Sequence, residues 1–339
     1  MGQVNHPPIS VAIIGATGLV GRTMLEVLEA SDMPLSELLL AGSDQSAGKQ
    51  LTFRGERVTL ETVQAIWNKK PQVALFSAGG SVSLEWAPKF AEVGTTVVDN
   101  SSAWRMDANC PLVVPEVNGH AIQPQHRIIA NPNCTTMQLV MALKPIHDQF
   151  HIIRGVVSTY QSITGTGKAA VNQLELERSG IAVEQPVYPH RIDLNCIPHC
   201  DIFGENGYTR EEMKVWNETK KILEDDAIAM VCTAVRVPVM GGHSESVYLE
   251  LDKPFELDAV RSVLSVFPGV VVEDEPFANV YPMPLNAGGR DEVFVGRIRR
   301  DLANPQGLHL WIVADNLRKG AATNTVQIAS YLQRSGRWS

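Results

Sequence analysis

The chain has no apolar run approaching the roughly 20 residues that a bilayer-spanning helix needs, so no membrane role is expected. It has no excess of positive charge. Against 37 Asp and Glu stand 29 Lys and Arg, a formal net charge of -8, which argues against non-specific binding of nucleic acid. Cysteine is sparse. The five thiols, at 110, 134, 196, 200 and 232, are odd in number and widely spread, which suits a reducing compartment without a disulfide framework. Residues 1–10 are polar and contain prolines, and they lack the charged-then-apolar build of a secretion signal. No internal repeat, low-complexity tract or long linker stands out. A soluble, cytoplasmic protein is expected, and 339 residues suffice for two domains with a substantial core.

Of what is present, Asn131-Pro132-Asn133-Cys134-Thr135-Thr136 is the most telling stretch. It sets a cysteine just past a proline-fixed turn and ahead of an apolar run, 137–143, that reads as the start of a helix. A thiol there faces unpaired N–H groups and the positive end of the helix dipole, so its pKa can fall. Its thiolate can then attack a carbonyl or an acyl phosphate. A buried structural cysteine fits the same segment.

In the first half, residues 11–14 read as a buried parallel strand that runs into Gly15-Ala16-Thr17-Gly18-Leu19-Val20-Gly21. A helical pattern follows through Met24, Leu25, Val27 and Leu28. Strand, GxxGxxG and helix in that order predict a dinucleotide-binding turn, with Gly15, Thr17, Gly18, Leu19 and Val20 as cofactor contacts. Gly15 permits the tight turn, Gly18 the close approach of a pyrophosphate, and Gly21 the packing of helix on strand. The helix N-terminus would bind the anion. A tight turn without a ligand is the alternative. The next strand, 37–41, ends at a loop where an adenosine ribose should lie. Ser43 and Ser46 suit a 2′-phosphate there, whereas an acid would favour a plain ribose. Further strands are expected at 73–76, 95–100 and 126–130. Arg105, just past the second of these, suits a bidentate phosphate clamp or a surface ion pair.

In the second half, a strand at 156–161 ends at Gln161, at the mouth of a loop that holds Gly165. Gln161 either orients a substrate carbonyl or amine or makes a structural hydrogen bond. Residues 209–223 are helical in character, with Thr209 as N-cap and Glu212 as its capping-box partner. Glu211 and Lys214 share a face of that helix and read as a solvated pair. Arg236 interrupts an apolar strand, 230–239, and needs a partner, for which a substrate carboxylate is suited. His243 follows Gly241-Gly242 in a loop that can bring it near Cys134 as acid and base, or it is a turn residue. Strands are expected at 246–251 and 307–313. The closing helix, through Ala322, Val326, Ile328, Ala329 and Leu332, should return to the first domain, with Asn316 at its entrance near a nicotinamide amide. Cys196, His199 and Cys200 match no zinc spacing, so no metal is expected.

These pieces occur as GATGLVG at 15–21, FSAGG at 76–80, DNSSAWRM at 99–106, VPEVN at 114–118 and NPNCTT at 131–136. STYQSITGTGKAA at 158–170, YTREEMK at 208–214, RVPVMGGHSESV at 236–247 and ADNLRKGAATNTVQIA at 314–329 complete the set. In this order, over almost the whole length, the chain resembles the bacterial aspartate-semialdehyde dehydrogenase family. The resemblance implies an α/β fold. A Rossmann-like NADP-binding domain would take 1–132 with 318–339, and an α+β catalytic and dimerisation domain with a mixed sheet would take 133–317. It implies NADPH-dependent reductive dephosphorylation of L-aspartyl-4-phosphate to L-aspartate-4-semialdehyde and phosphate, on the shared branch toward lysine, threonine, methionine and diaminopimelate. The partners implied are the small-molecule substrate, phosphate and a second copy in a homodimer, with pairing into tetramers left open.

Roles follow the matching positions. Cys134 matches the nucleophile that forms a thioacyl enzyme, Gln161 the residue that orients the intermediate, and His243 the general acid/base. Arg236 matches the holder of the substrate carboxylate and Glu211 the receiver of its amine. Arg105 and Lys214 match phosphate positions with Asn133 beside them, and Asn316 lies on the nicotinamide side. One segment departs from the family. Where it usually reads Ala-Ser-x-Arg-Ser-Ala-Gly, this chain has Gly42-Ser43-Asp44-Gln45-Ser46-Ala47-Gly48. Gln45 replaces the arginine that grips the 2′-phosphate and Asp44 adds a negative charge, so NADP is expected with weaker discrimination against NAD. N-acetyl-glutamyl-phosphate reductase, the nearest rival, usually has Asn-Pro-Gly-Cys at the cysteine and needs no residue for a free amine. A non-catalytic relative would not need Cys134, Gln161, Arg236 and His243 together.

Overall fold

The computed structural model describes residues 6–338. Residues 1–5 and 339 lie outside it, and with them the start of the polar N-terminal stretch and the outer ends of the expected nucleotide domain. The chain divides into two compact units, one running to Pro132 and resuming at Ala321, the other Asn133–Gly320.

The first unit alternates strand and helix: β1 (Ile9–Ile14), α1 (Leu19–Ala30), β2 (Leu35–Ala41), β3 (Gln50–Phe53), β4 (Glu56–Glu61) and α2 (Val63–Lys69). There follow β5 (Val73–Phe76), α3 (Gly80–Glu92), β6 (Thr96–Asp99), α4 (Pro115–Asn118) and β7 (Ile128–Ala130). The sheet order is β3-β4-β2-β1-β5-β6-β7, parallel throughout except for the β3–β4 hairpin. From β1 the chain first builds outward through β2 and later resumes on the other side at β5. The strand order therefore reverses beside the C-terminal end of β1, the place where open parallel sheets bind ligands. Gly15 stands there with φ +91°, and a Cβ on it would lie 2.6 Å from the Ser77 carbonyl oxygen. A Cβ on Gly21 would lie 2.1 Å from the Gly15 carbonyl oxygen, so the seating of α1 on its strand depends on that glycine. The β3–β4 hairpin, which turns through Arg54 and Gly55 at φ +48° and +81°, was not anticipated in the polar run at 49–59.

The second unit begins with α5 (Cys134–Phe150) and β8 (Ile152–Gln161), then α6 (Lys168–Arg178), α7 (Arg210–Leu223), β9 (Ala229–Arg236) and β10 (His243–Leu251). It continues with α8 (Leu257–Val266), β11 (Val270–Val272), α9 (Pro284–Ala287), β12 (Val293–Arg300) and β13 (Gly307–Ala314). The mixed sheet runs β11-β12-β13-β10-β8-β9, with β8–β9 and β11–β12 parallel and the remaining neighbours antiparallel. α5 packs on this sheet, and Met137 through Leu143 are fully buried on every side, which explains the unbroken apolar run. Strand alternation then decides the site. Val157, Thr159 and Gln161 of β8 and His243, Glu245 and Val247 of β10 are the buried set, while Tyr160 and Tyr248 point to the other face.

A π-helical turn, Arg318–Thr323, leads into α10 (Asn324–Arg334), which belongs to the first unit. Val326, Ile328, Ala329 and Leu332 join the core made by Ile9, Val11, Met24 and Leu28. Asn324 donates from Nδ2 to the Val113 carbonyl at 2.9 Å and to Asn131 Oδ1 at 2.8 Å. Among the described residues, no helix is long and apolar enough to cross a membrane.

Candidate active site

Cys134 is the first residue of α5, and Asn133 is its N-cap. The Asn133 side-chain oxygen accepts from the Thr135 and Thr136 N–H groups at 3.0 and 3.3 Å. Its Nδ2 donates to Glu211 Oε1 at 3.0 Å, and its backbone N–H donates to Glu218 Oε2 at 2.7 Å. Asn133 was expected beside a phosphate position. The structure commits both ends of its amide, one to the helix and one to Glu211, so that it fixes the turn that presents the cysteine. Asn is a favoured N-cap, a signal in the sequence that points to this use.

His243 lies 3.3 Å from that sulfur, Nε2 to Sγ. It was expected in a loop after the glycine pair. The structure makes it the first residue of β10 and buries it completely, so a strand rather than a turn sets its position. The Ser162 N–H donates to His243 Nδ1 at 3.0 Å. An Nδ1 that accepts a hydrogen bond carries no proton, so the neutral ring holds its proton on Nε2 and directs it at Cys134. Burial disfavours the charged ring, and the nearby Arg236 guanidinium adds to this, bringing its pKa down to about 3. Two glycines make room here. A Cβ on Gly320 would come within 3.0 Å of the Cys134 Cβ, and one on Gly165 within 3.2 Å of the His243 ring and 3.1 Å of Arg236 Nη1.

Glu211 was expected in a solvated pair. It is buried, because α7 turns its first-turn acids inward. The anticipated capping box of Thr209 and Glu212 is present. Glu211 Oε1 accepts from Gln161 Nε2 at 2.9 Å and from Asn133, and Oε2 accepts from Lys214 Nζ at 3.0 Å. Burial alone would raise its pKa. The Lys214 charge, with hydrogen bonds from Gln161, Lys214 and Asn133, outweighs burial and holds the carboxyl at about 2. Burial lowers the Lys214 ammonium, but Glu211 and Asp201 more than offset it and raise its pKa. Lys214 Nζ also donates to Asp201 Oδ2 at 2.8 Å. Gln161 Nε2 donates to Thr135 Oγ1 as well, while its Oε1 has no partner.

Arg236, the last residue of β9, is buried and donates from Nη1 to the Ser162 carbonyl at 2.6 Å. Its Nε has no partner, and no carboxylate among the described residues pairs with it. A buried guanidinium in that state suits an external carboxylate. Asn316 Oδ1 accepts from Thr164 Oγ1 at 3.1 Å, and Thr164 is joined to Ser162 through their hydroxyls at 2.7 Å. Thr135, Ser162, Thr164, Glu218 and Gly320 were not singled out from the sequence. Their roles come from contacts made across long sequence separations, and only Thr135, inside NPNCTT, carried a local signal.

In the first unit, α1 begins at Gly18 with no side-chain cap and no acid in its first turn. Its leading N–H groups are thus left for an external anion, which suits the pyrophosphate of a dinucleotide. Thr17, Leu19 and Val20 are partly exposed around that end. Ser43 and Ser46 follow β2 with their hydroxyls 3.2 Å apart. Arg105 is buried, donating from Nε to the Asn131 carbonyl at 2.9 Å and from Nη2 to the Asn100 carbonyl at 3.0 Å.

No metal was expected at Cys196, His199 and Cys200. Cys196 is exposed, Cys200 is buried, and His199 stacks on Phe203 with ring centroids 4.4 Å apart. Among the described residues, the ligand-type atoms that gather within 4.8 Å of one another are those of His147, His151 and Asp225. His147 Nδ1 accepts from the Ile152 N–H at 3.2 Å. The proton of its neutral ring therefore sits on Nε2, with Asp225 Oδ2 3.6 Å away, so neither ring nitrogen presents a bare lone pair to a metal.

The family model described as semialdehyde dehydrogenase, NAD binding domain, matches residues 10–125, and that described as semialdehyde dehydrogenase, dimerisation domain, matches residues 143–319. The chain is similar to an aspartate-semialdehyde dehydrogenase of Aquifex aeolicus (strain VF5), 52% identical over 334 residues that cover 96% of this chain and 98% of the other. It is 51% identical over 333 residues to one of Legionella pneumophila, covering 96% of each. Among solved structures it is similar to aspartate semialdehyde dehydrogenase II complexed with ASA from Vibrio cholerae, with a TM-score of 0.93, 46% identity and coverage of 97% of this chain and 99% of the other.

Proposed function

The chain belongs to the aspartate-semialdehyde dehydrogenase family, and we propose that its reaction runs through a thioacyl enzyme on Cys134. It is an oxidoreductase of amino-acid biosynthesis that uses a nicotinamide dinucleotide. The substrate in the reductive direction is L-aspartyl-4-phosphate, and the products are L-aspartate-4-semialdehyde and phosphate. The observation that carries the reading is Cys134 at the first turn of α5 with the His243 imidazole 3.3 Å from its sulfur.

The thiolate of Cys134 attacks the acyl carbon, and the carbon–oxygen bond to phosphate breaks, leaving a thioester. The reduced nicotinamide supplies the hydride. The thioester carbon then bears an oxyanion, which collapses to the aldehyde and returns the electron pair to Cys134. Neither collapse nor attack needs a proton moved at carbon. The neutral Nε2–H of His243 therefore serves as a hydrogen-bond donor, first to the thiolate and then to the oxyanion, which is the acid side of its expected acid/base role. Neutral imidazole acting in this way is an attested device. Arg236, with its open Nε, takes the substrate α-carboxylate. Glu211, ionised and held by Gln161 and Asn133, takes the amine, with Lys214 shared between it and the phosphate. Gln161 orients the thioacyl intermediate by accepting from its ammonium at the unpartnered Oε1. Arg105 serves phosphate, as the resemblance implies.

The cofactor is NADP, held by Gly15, Thr17, Gly18, Leu19 and Val20 at the open end of α1, by Ser43 and Ser46 at the 2′-phosphate, and by Gly165 and Asn316 on the nicotinamide side. Asp44 and Gln45 weaken the preference over NAD. The active form is a cytoplasmic homodimer, joined through the sheet face that carries Tyr160, Tyr248, His309 and Trp311, where rings already pair at 5.4 and 5.1 Å. The test is phosphate-dependent reduction of NADP and of NAD by L-aspartate-4-semialdehyde, with Cys134→Ala alongside. Activity that requires phosphate and Cys134, with NADP used more efficiently, is the expected result. Activity that survives in the variant sinks the nucleophile, and a preference for NAD sinks the cofactor assignment.

A further inference from the structure

Glu245 lies on β10 two residues beyond His243, on the same buried face, and is completely buried. Neither of its carboxyl oxygens has a hydrogen-bond partner, and no Lys, Arg or His among the described residues pairs with it. A bare carboxylate in such a place costs several kcal/mol, so the group takes up a proton instead. A protonated carboxyl then owns an O–H that needs an acceptor. An unpartnered, buried acceptor stands nearby: Oε1 of Gln138 on α5. Gln138 Nε2 donates to the backbone carbonyl of His243 at 3.3 Å. Gln138 is also one helical turn beyond Cys134, on the same side of α5.

We propose that Glu245, as a neutral carboxylic acid, is a positioning residue for the Cys134–His243 pair: its O–H donates to Gln138 Oε1, and Gln138 in turn holds the His243 carbonyl from Nε2. The helix that carries the cysteine and the strand that carries the histidine are thereby clipped together just beneath the reacting atoms. The clip sets the sulfur–imidazole distance and touches neither substrate nor cofactor. Burial raises the Glu245 pKa well above the ordinary carboxyl value; the amide of Gln138 is near enough to oppose this to a smaller degree, since its N–H favours the charged carboxyl while its Oε1 favours the neutral acid.

The groups around it bear on its titration. Thr159 of β8 and Ile312 of β13 stand opposite Glu245 in the sheet and do not titrate. Cys232 of β9 is pushed up by burial and further by Glu245, with Glu212 and Glu211 of α7 adding to it. His243, on the same strand, is neutral down to about pH 3. Glu211 is ionised and would be repelled by a new negative charge, and the other named neighbours offer no cation, so loss of the Glu245 proton as the pH rises through its raised pKa turns its oxygen against Gln138 Oε1 and opens the clip.

The inference rests on Cys134 and His243 being the reacting pair, and its test has one arm independent of turnover. In that arm, the infrared difference spectrum of wild type against Glu245→Gln is recorded at neutral pH. The expected result is a protonated-carboxyl carbonyl band in the wild type alone. A carboxylate band in its place overturns the proposal whatever the enzyme's activity. In the kinetic arm, Glu245→Gln keeps the shape and a donor, so kcat at neutral pH stays within about threefold and its decline on the alkaline side is lost or displaced. Glu245→Leu removes the donor, and kcat falls roughly tenfold or more with KM little changed, as misplacement of a reacting group requires. Equal losses in the two variants, or full activity in Glu245→Leu, contradict the proposal. Absence of aldehyde dehydrogenase activity in the wild type would count against the reaction assigned above and leave the infrared result to stand by itself.

Discussion

Two helix N-termini in this molecule are built in opposite ways. α1 opens at Gly18, with no side-chain cap and no acid in its first turn. α5 opens at Asn133, whose side chain caps two N–H groups while its own N–H is held by Glu218. The first end leaves its donors and dipole for something that arrives from outside. The second satisfies its donors within the chain and wires them to Glu211, Gln161 and Lys214. A bare end suits reversible binding of an anion, where any internal partner would compete. A wired end suits a nucleophile that must stand in one place while bonds change around it.

The largest effect is expected where the wiring is cut. Glu211→Leu leaves Lys214, Asn133 and Gln161 without their shared acceptor, and urea denaturation should show a loss of about 3 kcal/mol or more. Adding a negative cap to the bare end should do something different in kind. Gly18→Asp should leave the fold intact, because an aspartate cap is favourable for α1. It should also weaken NADP binding by roughly tenfold or more, read by fluorescence titration, because the new charge faces the pyrophosphate. If Glu211→Leu is as stable as wild type, or Gly18→Asp binds cofactor unchanged, the contrast between the two ends falls.

The wired site should also carry a pH signature that the bare end lacks. In the folded chain His243 is neutral down to about pH 3, against 6.5 for an ordinary histidine. The unfolded chain gains a proton that the folded chain refuses, so stability present above pH 6.5 is lost as the pH falls toward 3. Glu211, held at about 2 against an ordinary 4.5, adds a second loss between those values. Melting temperature should therefore decline below about pH 6.5, and His243→Gln should shrink the decline between 6.5 and 4.5 and leave below 4.5 only the part due to Glu211. The smallest effect is Asn133→Ala, about 1 kcal/mol for the lost cap. That makes the same class of change, altering a cap, opposite in sign at the two ends.

The bare end was legible because its cause is local. Strand, glycines and helix follow one another within residues 9–30, and the backbone needs of Gly15 and Gly21 arise inside that stretch. The capping box at Thr209 was legible for the same reason. The wired end was only half legible. Cys134 at a helix start could be read from its neighbours, whereas the burial of Glu211 could not, because it depends on Asn133 and Gln161, 78 and 50 residues away. His243 was read as loop because glycines precede it, yet β10 gains that residue by pairing with Ala314 of β13. Glu218, Ser162 and Gln138 had no local mark at all. Their chemistry is that of ordinary polar residues until the sheet brings α5, β8 and β10 together. β12 escaped notice because an alternating run, 293–300, is interrupted by a glycine and closes on arginines that read as surface.

The central claim is that the wired end carries a covalent intermediate on Cys134. The direct measurement is a rapid-mix reaction of enzyme with L-aspartate-4-semialdehyde and NADP in the absence of phosphate, followed by mass analysis of the peptide that contains Cys134. The account predicts a burst of about one NADPH per chain, an aspartyl adduct on Cys134, and its discharge when phosphate is added. Steady turnover without phosphate and without an adduct, or an adduct on another residue, would contradict it.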